Sequence, residues 1–149
     1  MAESIKINIK IDDKDFKKIM DNKHKIMADF VNMVANETWG NIKRFAPKDH
    51  GRLANSFQLK KITDLSYKII SGVEYAEWVD RGTGIYGPYK QEIKPRVAKA
   101  LYFVTGNKEI FAKAVKGQKG SNYTGRAANE TAKRLDEFMR TILYKYDNE

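Results

Sequence analysis

The sequence predicts an α+β fold: an antiparallel sheet of hairpins covered by a long N-terminal helix and a C-terminal helix, with a short helix before a glycine-rich loop. Three observations predict it. Apolar residues recur at three and four from Phe16 to Phe45 and again from Ala128 to Tyr146, the spacing of amphipathic helices. Two pairs of β-rich runs lie between them, each pair joined by turn residues, as antiparallel hairpins require. The ten residues Tyr75 to Gly84 (YAEWVDRGTG) fit one helical turn followed by a glycine bend. Without repeat, linker or low-complexity tract, the chain reads as a single α+β domain over residues 1–149.

Ile5, Ile7, Ile9 and Ile11 alternate with Lys6, Asn8 and Lys10, the period of a half-buried strand. From Asp15 the period becomes helical through Phe16, Ile19, Met20, Ile26, Met27, Phe30 and onward to Phe45. The polar turn Asp21-Asn22-Lys23-His24 is where this helix would bend or split. Pro47 stops it near Ala46, because proline cannot continue a helix. Ser56 to Thr63 and Leu65 to Val73 form an expected antiparallel pair. Gly84 to Lys94 reads as loop, and Ala100 to Val104 with Glu109 to Val115 as a second hairpin about Thr105-Gly106-Asn107-Lys108. A glycine-spaced basic segment, Lys116 to Ser121, follows. After Gly125 one final helix is expected, with Ala128, Thr131, Ala132, Leu135, Phe138, Met139, Ile142, Leu143 and Tyr146 on its apolar side. Asp147 and Glu149 oppose the dipole at its end, so its last turn should fray.

In the central segment Tyr75, Trp78 and Val79 share one helical face by their spacing, and Glu74, Glu77 and Asp80 share another. The first face is expected to dock, with Trp78 largely buried, and the second to stay in water. Gly82 and Gly84 let the chain leave the turn sharply and approach other backbone closely.

Composition excludes several classes. The 149 residues have no cysteine, which removes disulfide and thiolate chemistry and the usual zinc sites, and the only imidazoles are His24 and His50. No run of eighteen apolar residues occurs, and the start MAESIKINIK lacks a signal peptide's apolar core, so a cytosolic origin is expected. The net charge of +9 is uneven: Arg81 to Lys119 carries nine basic residues against two acids. Such a segment attracts polyanions, though a lysine-rich composition places lysines on any exposed loop.

Glu74, Glu77 and Asp80 are hard-cation ligand types, but three acids on one turn are also an ordinary solvated face. Gly82-Thr83-Gly84-x-x-Gly87 has the glycines of a phosphate loop without a preceding strand or a Gly-Lys-Ser/Thr. His50 beside Asp49 and near Ser56 has the residue types of a hydrolase, yet sits in a turn where polar residues belong. A catalytic, cofactor or metal role is therefore assigned to no residue. Tyr86, Tyr89 and Tyr102 interleave with Lys90, Lys94, Arg96 and Lys99, a pattern that suits single-stranded nucleic acid and protein interfaces alike.

The order Ala46-Pro47-x-x-x-Gly51-Arg52-Leu53-x-x-Ser56, then Tyr75-Ala76-x-x-Val79-x-x-Gly82-Thr83-Gly84, then a late hairpin and a terminal helix, resembles the tail-completion family of long-tailed double-stranded DNA phages, whose type member is the tenth gene product of a lambda-like coliphage. The resemblance covers roughly residues 25–143. It departs where family members carry a Pro-Gly turn and a Pro-Phe-Leu; here stand Lys116-Gly117-Gln118-Lys119-Gly120 and Asn122-Tyr123-Thr124. It implies a structural, non-enzymatic neck or tail-end protein that joins tail to head as a ring compatible with six-fold symmetry. Its place would be the virion, after assembly in the host cytoplasm, with neck and tail proteins as partners and neither a membrane nor a small-molecule substrate. On this reading Arg52, Arg81, Thr83, Ile85, Tyr86 and Tyr89 are contact candidates. Lys90, Lys94, Arg96, Lys99, Lys113, Lys116 and Lys119 are candidates to face packaged DNA. A basic nucleic-acid-binding domain is the alternative, and a nuclease a more distant one.

Overall fold

The computed structural model describes residues 13–48 and 51–148. The strand expected at Ile5 to Ile11 and the turn residues Asp49 and His50 lie outside the described residues. The mixed α+β class of the sequence reading is what the chain adopts.

Helix α1 (Asp13–Phe45) runs 33 residues without interruption, about 50 Å at 1.5 Å per residue. It continues unbroken through Asp21 to His24, so the split considered there does not occur. That stretch contains neither glycine nor proline, and contacts hold the helix on both sides of it. Lys18 Nζ donates to the Asp147 carbonyl at 3.3 Å, His24 Nε2 lies 3.5 Å from Asp64 Oδ2, and Asp29 pairs with Lys145 at 2.9 Å. The last α1 turn closes with Ala46 N–H on Ile42 O at 2.8 Å, and Pro47 ends it. After Gly51, at φ 70°, the single turn α2 (Arg52–Ser56) buries Leu53 and Ala54.

Strands β1 (Phe57–Thr63) and β2 (Ser66–Ser71) pair antiparallel from Phe57 opposite Ser71 to Thr63 opposite Ser66, with an irregularity between Lys61 and Thr63. This hairpin lies along α1: Trp39 Nε1 donates to Phe57 O at 2.9 Å, and Asn32 Nδ2 donates to Tyr67 Oη at 2.7 Å. Strands β3 (Leu101–Thr105) and β4 (Lys108–Ala112) form the second hairpin about Gly106-Asn107. The two hairpins do not join. They make separate two-stranded sheets, where the sequence reading combined them in one. β4 stops at Ala112, and Val115 instead bridges Ile93 antiparallel, so residues 94–114 form an arm rooted by that bridge. Tyr102, Val104 and Phe111 are exposed on the arm, and the Tyr102 and Phe111 rings lie 5.1 Å apart.

The expected single C-terminal helix is two: α4 (Tyr123–Ala132) and α5 (Leu135–Asp147). At the break Arg134 N–H bonds Thr131 O at 3.0 Å, a short 3₁₀-type step. Thr131 lies beside α1, where its hydroxyl accepts from Asn41 at 3.1 Å, and Phe138 and Ile142 are buried on α5. Arg134 locks the corner by pairing with Glu37 and Glu137, each at 2.9 Å. The helix starts earlier than expected, at Tyr123, and buries Ala127 where the spacing had pointed to Ala128. Among the described residues a core cluster is centred on Ile42, Leu53, Phe57, Tyr123 and Ala127, with Trp39, Phe45 and Val79 packed against it, and Ile26, Phe138 and Ile142 are buried outside it.

Candidate assembly interface

Helix α3 (Ala76–Arg81) presents a different face from the one the spacing suggested. Ala76 is buried and Val79 packs on the core. Trp78 is 42% exposed and Tyr75 39%, which corrects the expectation that both would anchor the turn. The reason is space: Tyr123, only 1% exposed, fills the position above Ala76 and donates its hydroxyl to Ala76 O at 2.8 Å. Its ring meets Phe57 edge-on at 5.7 Å. Burial, reinforced by the Asp80 charge, pushes the Tyr123 phenol up to about 12. Trp78 and Tyr75 instead line an open groove of about 560 Å³ with Pro47, Leu53, Thr83 and Gln118.

Asp80 is likewise not a solvated acid. Its Oδ1 accepts the Thr124 N–H at 3.0 Å, and its Oδ2 accepts the Thr124 hydroxyl. The residue before α4, Asn122, is left-handed and makes no side-chain cap, so Asp80 caps α4 from another element. Glu77 pairs with Arg81 at 3.0 Å. The three acids are therefore engaged separately, and no group of three or more potential ligands that could hold a metal occurs among the described residues.

Beyond α3 the chain interlocks with the late basic segment. Ser121 N–H bonds Val79 O and Asn122 N–H bonds Asp80 O, each at 2.9 Å. Thr83 N–H donates to Gln118 O at 2.8 Å, Gln118 N–H returns to Thr83 Oγ1 at 2.9 Å, and Ile85 N–H reaches Lys116 O at 2.8 Å. The backbones come so close that only glycine fits at the crossing. Gly84 and Gly117 have φ of 62° and 89°, and a Cβ at Gly84 would overlap the Lys116 carbonyl, while one at Gly117 would overlap that of Thr83. This clasp fixes a short 3₁₀ turn, Gly84–Tyr86, and sets Lys119 Nζ 5.8 Å from the Tyr86 ring centre.

The contact candidates fall into two kinds. Thr83 and Ile85 are partly buried parts of the clasp. Arg81, Tyr86 and Tyr89 are exposed on its rim, and Arg52 is exposed on α2. All seven cations suggested to face DNA, Lys90, Lys94, Arg96, Lys99, Lys113, Lys116 and Lys119, are exposed. Lys116 and Lys119 sit in the clasp, and the others on the arm or its approaches. Sequence reading did not bring Lys116 to Gly120 against Gly82 to Gly84, although two glycine-spaced loops far apart in the chain were the visible sign of a close backbone crossing. It also missed Asp80 with Thr124. Of the residues considered for hydrolysis, Ser56 Oγ is held by Leu53 O and Ser71 Oγ, at 2.6 and 2.8 Å.

Residues 13–82 match a family model described as "Bacteriophage HK97-gp10, putative tail-component". This stretch, from α1 to the first glycine of the clasp, is similar to a phage tail component. The arm, α4 and α5 lie beyond it, so the match is narrower than the resemblance over 25–143. No curated protein and no solved structure matches the chain. Among the described residues no helix is long and apolar enough to cross a membrane.

Proposed function

We propose that this chain is a structural virion protein of the phage neck or tail end, which completes the tail and joins it to the head by assembling into a ring. The observation that carries the reading is the tail-component match over residues 13–82. It is supported by a rim that mates poorly with water: Trp78, Tyr75, Tyr86 and Tyr89 are exposed around a rigid glycine clasp. A closed ring needs two different patches per subunit. The groove at Trp78 and the projecting aromatic arm supply two such patches. Arg52, Arg81, Tyr86 and Tyr89 are the contact residues on this reading, with Thr83 and Ile85 holding their geometry. The chemistry of the rim is that of assembly, and ring symmetry compatible with a six-fold tail is the expected state.

Electron microscopy of the purified protein, alone and with isolated tails, tests this. Rings that cap tail ends are expected, and a monomer that leaves tails unchanged would rule the reading out.

The exposed cations favour a second property of the same assembly, non-specific contact with duplex DNA through Lys90, Lys94, Arg96, Lys99, Lys113, Lys116 and Lys119. Such binding falls with salt at a log-log slope of about −0.9 per phosphate contact. Changing Lys113, Lys116 and Lys119 to glutamine should flatten that slope; an unchanged slope would take these three away from DNA.

A further inference from the structure

Both faces of the β3–β4 hairpin are apolar, and one of them is bare. Side chains alternate along each strand, and directly paired residues share a face. Leu101, Ile110 and Ala112 lie on one side and are half-buried. Tyr102, Val104, Glu109 and Phe111 lie on the other, where Tyr102 and Val104 are each 56% exposed and Phe111 70%. Among the described residues the sheet has two strands and no third. A lone two-stranded hairpin is marginal in water and needs packing to hold it. The bare face is therefore a docking surface.

Charge indicates what covers it. Residues 94–114 hold five basic residues and one acid, Glu109. That acid is the only charged strand residue on the bare face, where its carboxylate accepts the Tyr102 hydroxyl at 3.2 Å. A face whose one charge is negative repels phosphate, which disfavours nucleic acid as its occupant. The groove at Trp78 is its complement. Tyr75, Trp78, Leu53 and Pro47 give it aromatic and aliphatic walls, and Lys119 is the one charged residue among the described residues that line it. Its volume of about 560 Å³ lies within the roughly 300–1,000 Å³ of pockets that enclose a drug-sized ligand, and two aromatic rings need no more.

We infer that the Tyr102–Phe111 face of the arm docks in the Trp78 groove of a second copy of this chain, with Glu109 against Lys119 of that copy. The inference rests on the ring reading and supplies its subunit contact. Each copy offers an arm on one side and receives one on the other, the heterologous pairing that a closed ring requires. The rings of Tyr102 and Phe111 are the anchors, and the charge pair at their edge fixes register. Of the seven exposed cations, Lys119 is then taken by the subunit contact, and the others remain for DNA.

The full-length chain has no cysteine of its own, so Val104→Cys and Gln118→Cys each introduce a single thiol. Both positions are exposed, and Gln118 enters the clasp through its backbone, so neither change removes an anchor. A short bis-maleimide added to an equal mixture of the two variants should give the mixed dimer, identified by mass, and neither variant alone should crosslink to itself. Homodimers of either variant, a bridge within one chain of the double variant, or no crosslink in rings seen by electron microscopy would each overturn this pairing and leave the ring reading standing. A monomer at every concentration would overturn both. Charge reversal gives a second measurement. Glu109→Lys and Lys119→Glu should each raise the concentration needed for assembly about tenfold, and the two together should restore it to within about threefold, because the pair is then reversed and not broken. Single variants that assemble normally, or a double variant no better than either, would overturn the pairing.

Discussion

Tyr123 donates its hydroxyl to the Ala76 carbonyl oxygen at 2.8 Å, across 47 residues of sequence. That bond joins the first turn of α4 to the first turn of α3, and the Tyr123 ring closes the core over Phe57. It explains why a small residue is buried in α3 while the tryptophan two positions on is not.

Tyr123→Ala should destabilise the protein by roughly 3–5 kcal/mol, as for a fully packed aromatic, and Tyr123→Phe by about 1 kcal/mol for the lost hydrogen bond. Urea unfolding followed by circular dichroism checks both. Equal costs for the two variants would show that packing of the ring contributes little.

Trp78→Ala should cost the monomer less than about 1 kcal/mol, because a half-exposed side chain gives up little burial. Assembly should suffer more than folding. Thermal unfolding and sedimentation on the same sample separate the two effects.

The glycine clasp predicts opposite signs for chemically identical changes. Gly84→Ala and Gly117→Ala each force a Cβ into backbone at positive φ and should destabilise by more than about 1 kcal/mol. Gly40→Ala lies on exposed α1 with nothing within 4 Å of the added carbon and should stabilise by about 0.5–1 kcal/mol. Denaturant midpoints of the three variants decide it.

Asp80→Ala removes the acceptor for both Thr124 donors and should cost about 0.5–2 kcal/mol, the range of a lost helix cap. Hydrogen exchange should report the loss first at the start of α4. Unaltered protection there would mean that water or Asn122 replaces the cap.

Stability should fall at both ends of the pH scale for different reasons. The Tyr123 phenol is raised to about 12 by burial, so its contribution is complete below the unfolded value near 10 and disappears as pH rises from about 10 to 12. At acid pH, Asp29 is held below its ordinary value by its hydrogen bond to Lys145, Glu130 by Lys133 and Glu137 by Arg134. Their contributions are present above the unfolded carboxylate values and are lost as pH falls through the lower folded ones. Unfolding midpoints measured across pH should show both losses, and Tyr123→Phe should abolish the alkaline one.

Periodicity alone determined the elements: a helix to Phe45 stopped by Pro47, a hairpin before Tyr75, a second about Gly106-Asn107, and a helical C-terminus. These follow from spacing and from proline and glycine, whose constraints act within a few residues. Basic content and exposure of the arm were legible for the same reason, since lysines and loop tyrosines stay in water wherever the chain goes. Which face of α3 docks was not legible, because Val79 lies between Ala76 and Trp78 around the helix and could turn inward with either, and only the arrival of Tyr123 decided that the small residue goes in. The break at Arg134 carries no glycine or proline, so nothing local in the sequence marks it; it is held by Arg134 pairing with Glu37 of α1 as well as with Glu137. The clasp, and the capping of α4 by Asp80, join segments some 35 to 44 residues apart; such pairings depend on where the intervening arm leaves and returns, which only the tertiary structure fixes.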